Sequence, residues 1–356
     1  MKLSVKTKEV DEELLMRVLD IKVGGKKAST PSKSVNAYVE TGEINEIHKG
    51  ITLEKINEIN EDNRMERYFN GDISRQKKDD SLNFVFLRYN DHRIPDERSM
   101  ETIVDLQYPH TDALIVPSIP AIVKEYTAES LLNTMLTFID SYVEAVEKMN
   151  SKSIVGIIPS KIPRQFIPNL IQYYHSKDIT SFVIDSDGTS LYSHPSWLNS
   201  FKREIKKLSI EEEGFIYNLN PNPGKFMKKK EAVLAKDIIM IPFGIDVVGN
   251  NHVPPRLSSD VWDKILTERN KGPRRFYPEE YSYRRAEDVN ANMIQIKNEN
   301  ITMQYEETIK IREIVKEEKS VKPYIESKPQ VKEEKVIHRI ESSKREISAP
   351  IQTTLF

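Results

Sequence analysis

The chain has 356 residues, enough for one barrel-sized core with additions, and its 53 Lys and Arg against 55 Asp and Glu leave a formal net charge of −2. No global basic excess exists, so nucleic-acid binding would have to rest on a local patch. Cysteine is absent, which excludes disulfides and Cys-ligated zinc or iron–sulfur sites. The opening Met1-Lys2-Leu3-Ser4-Val5-Lys6-Thr7-Lys8-Glu9 is too charged for a signal peptide, and no stretch reaches the apolar length of a membrane span. The expectation is a cytoplasmic protein with no membrane partner.

Residues 1–40 form an N-terminal segment with a hairpin. Its short alternating run Leu19–Val23 is followed by Gly24-Gly25 and then by Ala28-Ser29-Thr30-Pro31. Residues 41–80 are polar, with a short helix over Ile51–Glu61 and an exposed loop over Gly71–Ser81. Leu82–Leu87 reads as a strand. From there the pattern is regular. Apolar runs Ala113–Pro117, Ile154–Pro159, Phe182–Asp185 and Ile238–Phe243, with Gly214–Leu219 between the last two, read as buried parallel strands. Helical segments link them at Ala128–Met149, Arg164–His175, Ser196–Leu208 and Lys228–Leu234. In Ala128–Met149 the apolar positions Leu131, Leu132, Met135, Leu136, Ile139, Tyr142, Val143 and Val146 recur at helical spacing.

Strand–helix alternation of this length predicts an α/β fold, and at least five repeats favour a (β/α)8 TIM-barrel-like domain over residues 41–300. No G-x-G-x-x-G follows the first strand, which weighs against a dinucleotide-binding sheet. Residues 301–356 are dominated by Lys, Glu, Ile, Val and Ser. They read as a disordered, charged, flexible tail, with a solvated helix as the alternative.

In parallel folds functional groups collect past the C-terminal ends of the strands. Asp185-Ser186-Asp187-Gly188 is one such end. Asp185 there could serve as base, nucleophile or ligand, and Asp187 could serve beside it, or the Asp-Gly pair could simply make a turn. Gly244-Ile245-Asp246 with Asn250, Asn251, His252 and Arg256 is a second. It brings a carboxylate, two amides, an imidazole and a guanidinium together, groups suited to base edges and phosphates. Asn220 lies in a third, Asn/Pro/Gly-rich loop. Lys271–Pro278 with Tyr281, Tyr283, Arg284 and Arg285 interleaves basic and aromatic residues, as stacking surfaces for bases do. His92, His110 and His194 show no ligand spacing, so neither a metal nor a cofactor is expected.

Residues 113–285 resemble the later half of the tRNA-guanine transglycosylase barrel. The resemblance lies in Val155-Gly156-Ile157-Ile158-Pro159, in Gly244-Ile245-Asp246-Val247-Val248-Gly249 followed by Pro254-Pro255-Arg256, and in Arg275–Tyr283. It implies exchange of guanine for a 7-deazaguanine base in DNA or tRNA through an aspartate nucleophile. The family's second aspartate aligns with Gly249, its zinc cysteines are missing, and Asp185–Gly188 stands as a displaced echo of its Asp-Ser-Gly-Gly motif. Asp246 and Asp185 therefore remain as the catalytic carboxylates. Asn250, Asn251, His252, Arg256, Asp187 and Asn220 would bind substrate.

The tail ends Gln352-Thr353-Thr354-Leu355-Phe356 and is similar to the start of a sliding-clamp-binding peptide, with Gln352, Leu355 and Phe356 as the anchors. The alternative function is a non-catalytic barrel scaffold that binds nucleic acid or a replication clamp through this tail.

Overall fold

A computed structural model describes residues 2–149, 152–226, 230–254, 273–286 and 292–349. It is a mixed α/β structure. Strands β1 (Leu3–Val10), β2 (Arg17–Val23) and β3 (Lys26–Ser29) form an antiparallel sheet, with β2 turning into β3 at Gly24, whose φ of 59° suits glycine. The expected hairpin is therefore present. Next come β4 (Ser32–Lys33), β5 (Ile44–Ile51), α1 (Leu53–Glu61), α2 (Asn63–Ser74), β6 (Leu82–Tyr89) and α3 (Glu97–Gln107). Thr52 and Asp96 cap α1 and α3 by accepting from Lys55 N (3.2 Å) and Ser99 N (2.8 Å).

The next stretch follows the predicted order closely: β7 (Leu114–Ile115), α4 (Pro120–Glu125), α5 (Ala128–Met149), β8 (Ile154–Pro159), α6 (Ile167–Ser176), β9 (Phe182–Asp185), α7 (Pro195–Lys207) and β10 (Ile216–Leu219). After these come β11 (Ala232–Leu234), β12 (Val247–Val248), β13 (Arg274–Tyr277) and β14 (Ser282–Arg285). The described chain finishes with α8 (Met293–Glu318), α9 (Lys322–Ser327), α10 (Pro329–Glu333) and α11 (Val336–Ser348). Among the described residues, no helix is long and apolar enough to cross a membrane.

The centre is a six-stranded parallel sheet in the order β4-β12-β10-β9-β8-β7. Strands β5 and β6 pair in parallel over eight residues, from Ile44 opposite Leu82 to Ile51 opposite Tyr89. Single parallel bridges link this pair to both outer strands of the sheet. Val35, just past β4, bridges Asn45, with Val35 N donating to Ile44 O and Glu46 N to Val35 O at 2.8 Å each. Arg88 bridges Ser118, with Tyr89 N donating to Ser118 O and Ser118 N to Leu87 O, again at 2.8 Å. Register then aligns the strand ends: Pro159, Asp185 and Leu219 lie side by side, as do Lys33, Val248 and Asn218.

Four sequence expectations are corrected. The run Ile238–Phe243 is not a strand: Ile238–Met240 is a 3-10 turn, the chain reverses at Gly244 (φ 84°), and the sheet strand is Val247–Val248. Its residues are buried on all sides, and a short apolar run buried in that way reads alike as strand or helical turn. The described part of Lys228–Leu234 is strand, with Ala232 opposite Arg284 in an antiparallel sheet of order β11-β14-β13. Gly71–Ser81 is helical as far as Ser74, with Ile73 buried.

The fourth correction is the largest. Residues 293–348 are not a disordered tail but four helices, whose Ile311, Val315, Val321, Ile325, Val331, Val336 and Ile340 join the main core. Helix α8 buries Gln304, Glu307, Thr308 and Arg312 beside its apolar residues, so its inward stripe is half polar and its periodicity faint. Strand β4, within residues 1–40, pairs with β12 in the parallel sheet.

Candidate active site

Asp185 closes β9 at the C-terminal edge and is 2% exposed. Its carboxylate accepts from Ser118 Oγ, which follows β7 two strands away, from Asn220 Nδ2 at 2.9 Å, and from the backbone N–H of Asp187 at 2.9 Å. Its hydrogen-bond donors are thus all neutral. Asn220 reaches it from a left-handed backbone, φ 55°, a conformation that asparagine tolerates better than most residues. Asp187 also has a positive φ, 40°. Arg88 Nη2 donates to one of its oxygens at 2.7 Å and Lys161 Nζ donates to the other. Burial raises the Asp187 carboxyl, but Lys161 and then Arg88 outweigh it and hold it below the usual carboxylate range. Arg88 Nη1 is buried with no hydrogen-bond partner among the described residues.

A cavity of about 150 Å³ opens here, lined by Pro120, Val123, Lys124, Pro159, Lys161, Asp185 and Asp187. A space of about that volume accepts a single aromatic ring. Its lining combines three apolar residues with two carboxylates and two lysines.

A second polar cluster lies along the same edge, around β4, β5 and β12. Glu46 projects from β5 with its side chain fully buried. It accepts from Ser34 Oγ (2.9 Å), Tyr217 OH, Asn250 N (3.0 Å) and His252 Nε2 (2.5 Å). Burial opposes the Glu46 charge. The hydrogen bond and charge of His252, with the Lys33 charge and the Tyr217 hydroxyl, more than offset this and hold the group at about 2. Lys33 donates to three neutral acceptors, Asn250 Oδ1 (2.6 Å), Gly249 O (2.8 Å) and Val248 O (3.4 Å), and burial lowers it to about 8. Asn220 joins the two clusters: its Nδ2 serves Asp185, and its Oδ1 accepts from His252 N at 3.0 Å.

The structure therefore gathers Asp185, Asp187, Asn220, Asn250 and His252 at one edge. Asn250 spends its side chain inside the protein, on Lys33 and on Ser34, and Asn251 turns its Oδ1 back to Val253 N at 3.0 Å. The buried Asn250 amide is thus turned inward, while Asn251 is exposed. Arg256, Gln352, Leu355 and Phe356 lie outside the described residues.

Asp246 is the main displacement. It precedes β12, and its backbone N–H donates to Ile216 O at the start of β10, so it stands at the N-terminal edge, opposite Asp185. Its carboxylate is held by Arg17, at 3.0 Å from Nε and 2.7 Å from Nη2, and by Ile216 N at 2.7 Å. The structure does not bring it to the candidate site. Gly249, where the resembled family carries aspartate, is packed shut. A Cβ there would stand 2.8 Å from each of Asn218 O, Glu46 Oε2 and a Tyr217 ring carbon, and a carboxylate would meet the Glu46 charge.

Sequence reading missed Lys33, Glu46, His48 and Arg88. The run Ile44-Asn45-Glu46-Ile47-His48 has no strict apolar–polar alternation, because polar Asn45 and Glu46 are buried as its isoleucines are, so the strand signal is absent. No group of His, Asp and Glu among the described residues is arranged to hold a metal ion. No protein-family model matches the chain, and no curated protein matches it either.

Proposed function

We propose that the protein exchanges a base in nucleic acid, with Asp185 as the carboxylate that bonds to the sugar, on a closed (β/α)8 barrel. Support for closure comes from the two bridges, Val35 to Asn45 and Arg88 to Ser118, which tie the β5–β6 pair to both ends of the six-stranded sheet. The observation that carries the chemistry is Asp185 itself. It is a buried carboxylate at the C-terminal edge, held in place by neutral donors alone, on the wall of a ring-sized cavity with Lys124 and Lys161 at its rim.

The step is a double displacement. An Asp185 oxygen forms a bond to the anomeric carbon of an extruded nucleotide while the bond to the base nitrogen breaks, and the electron pair leaves with the base. The incoming base, after losing a proton, displaces the carboxylate and restores it. Lys124, which lines the same cavity, offers positive charge for a flanking phosphate.

One observation favours a second reading, a non-catalytic scaffold. The position of the family's own nucleophile is filled by the packing around Gly249. Incubation with labelled guanine or a 7-deazaguanine base, with duplex DNA and bulk tRNA in parallel, separates the two. Incorporation that disappears in Asp185→Asn supports exchange and names the polymer. No incorporation by folded wild-type protein supports the scaffold.

A further inference from the structure

The Glu46–His252 pair is idle in the displacement just described, which needs a proton donor for the departing base and an acceptor for the incoming one. We propose that His252 is the proton-transfer residue of this site, giving a proton to the base that leaves and taking one from the base that enters. The inference rests on the base-exchange reading of Asp185.

Three features of the geometry carry it. First, His252 is oriented as catalytic imidazoles are. Its Nε2 meets Glu46 Oε1 at 2.5 Å, and its Nδ1 has no partner among the described residues, while its side chain is 21% exposed. A carboxylate on one ring nitrogen fixes the tautomer and leaves the other nitrogen to exchange protons. Second, the ring is clamped. His48 stacks on it with centroids 4.4 Å apart and planes 5° from parallel. Burial, with the His252 charge adding to it, pushes His48 down to about 3, so it lies there as a neutral ring. Third, His252 is tied to the reacting carboxylate through one side chain, since the two ends of the Asn220 amide bond Asp185 Oδ1 and His252 N. The charged and titratable groups around the imidazole are Glu46, His48, Lys33, Tyr217 and, through His48, Arg88. Glu46 bonds the ring and His48 stacks on it.

Atoms balance across the cycle. In the first half the His252 imidazolium gives its proton to the nitrogen of the leaving base as the bond to the sugar breaks. In the second half the neutral imidazole takes a proton from the incoming base as that base attacks the anomeric carbon and frees Asp185.

The test is single-turnover exchange by the full chain between pH 5 and 9, using labelled guanine and the polymer that the wild type accepts. His252→Ala is expected to slow the step about 10²- to 10⁴-fold, to lose the pH limb that the wild type shows, and to regain rate with added imidazole. Glu46→Gln is expected to stay active with that limb moved. A thermal melt of each variant identifies one that has failed to fold, and imidazole rescue of His252→Ala does not depend on Glu46→Gln folding. A His252→Ala rate within about threefold of wild type overturns the inference. So does a slow variant that keeps the wild-type pH profile and gains nothing from imidazole. If Asp185→Asn is inactive while His252→Ala is not, only this inference falls. If the wild type exchanges no base, the reading of Asp185 falls with it.

Discussion

Replacing Asp246 by asparagine tests whether this carboxylate belongs to the framework or to the chemistry. It is 1% exposed, takes both Nε and Nη2 of Arg17, and accepts from the backbone of Ile216. Burial works against the Arg17 charge, and Asp246 foremost, with Glu211 and Glu212, more than offsets it. Asparagine keeps one acceptor oxygen but removes the counter-charge. Breaking a buried pair from one side costs about 3–5 kcal/mol. Arg17 Nη2 retains Gly214 O at 2.9 Å, which places the expected loss near the lower figure. With an unfolding entropy of about 2.1 cal/mol/K per residue, a loss of about 3 kcal/mol lowers the melting temperature of a chain this long by about 4 °C. The assay is a thermal melt of wild type and variant, with base exchange measured well below both midpoints. The expected result is a lowered melt with exchange retained. An unchanged melt with exchange abolished would refute this reasoning and return Asp246 to the reaction.

Asp185→Asn should do the reverse: it keeps the melt near that of the wild type and lowers exchange by about 10⁴-fold or more, the scale seen when a hydrolase loses one member of its triad. Acid should unfold the protein partly through Glu46. Its folded value of about 2 lies below the ordinary 4.5, so its contribution is complete above 4.5 and disappears as pH falls toward 2. Denaturant midpoints of Glu46→Gln should therefore be flatter than wild type across that window, and an identical slope would count against the buried carboxylate. His48 adds an earlier loss. It is neutral in the fold down to about 3 but protonates near 6.5 when unfolded, so stability falls as pH drops below 6.5, and His48→Phe should remove that part of the slope. Truncation before Val336 should destabilise the chain, because it exposes the partners of Val336, Ile340 and Ile347, each worth about 1.5–3 kcal/mol on burial. A truncated chain that melts like the full one would restore the picture of an expendable tail.

The strand–helix alternation between residues 113 and 219 was legible because its strands are buried on both faces and its helices carry one clean apolar stripe. Phe182–Asp185 and the apolar face of Ala128–Met149 are the clearest cases. Strand β5 was not legible for the opposite reason. Asn45, Glu46 and His48 sit on a strand and face inward, and only Asn83, Tyr217, Lys33 and His252, distant in sequence, make that tolerable. The C-terminal helices failed in a third way. Charged residues surround isolated apolar ones, and a helix with so thin a stripe is told from a linker only by the surface it packs on, here α7 for α11, where Asn199 and Arg203 bond Glu346.

The sequence put Asp246 ahead of Asp185 as the catalytic carboxylate, and their partners separate them. Both are buried and both accept three or more hydrogen bonds, so burial and satisfaction alone decide nothing. Asp246 is neutralised within hydrogen-bond distance by a guanidinium, and its oxygens are further engaged by a strand N–H at the edge where β12 begins. Asp185 is held by a hydroxyl, an amide and a backbone N–H, which fix its position and leave its charge uncompensated, while the cations nearby, Arg88 and Lys161, are spent on Asp187. A buried negative charge without a bonded cation is held at a cost, and the attraction left over is available to a developing positive centre such as the anomeric carbon of a departing nucleoside. Moving Asp187 out of that arrangement, as in Asp187→Asn, would release Arg88 and Lys161 toward Asp185. The expected consequence is slower exchange, because the reacting carboxylate then acquires the neutralising partner that Asp246 already has.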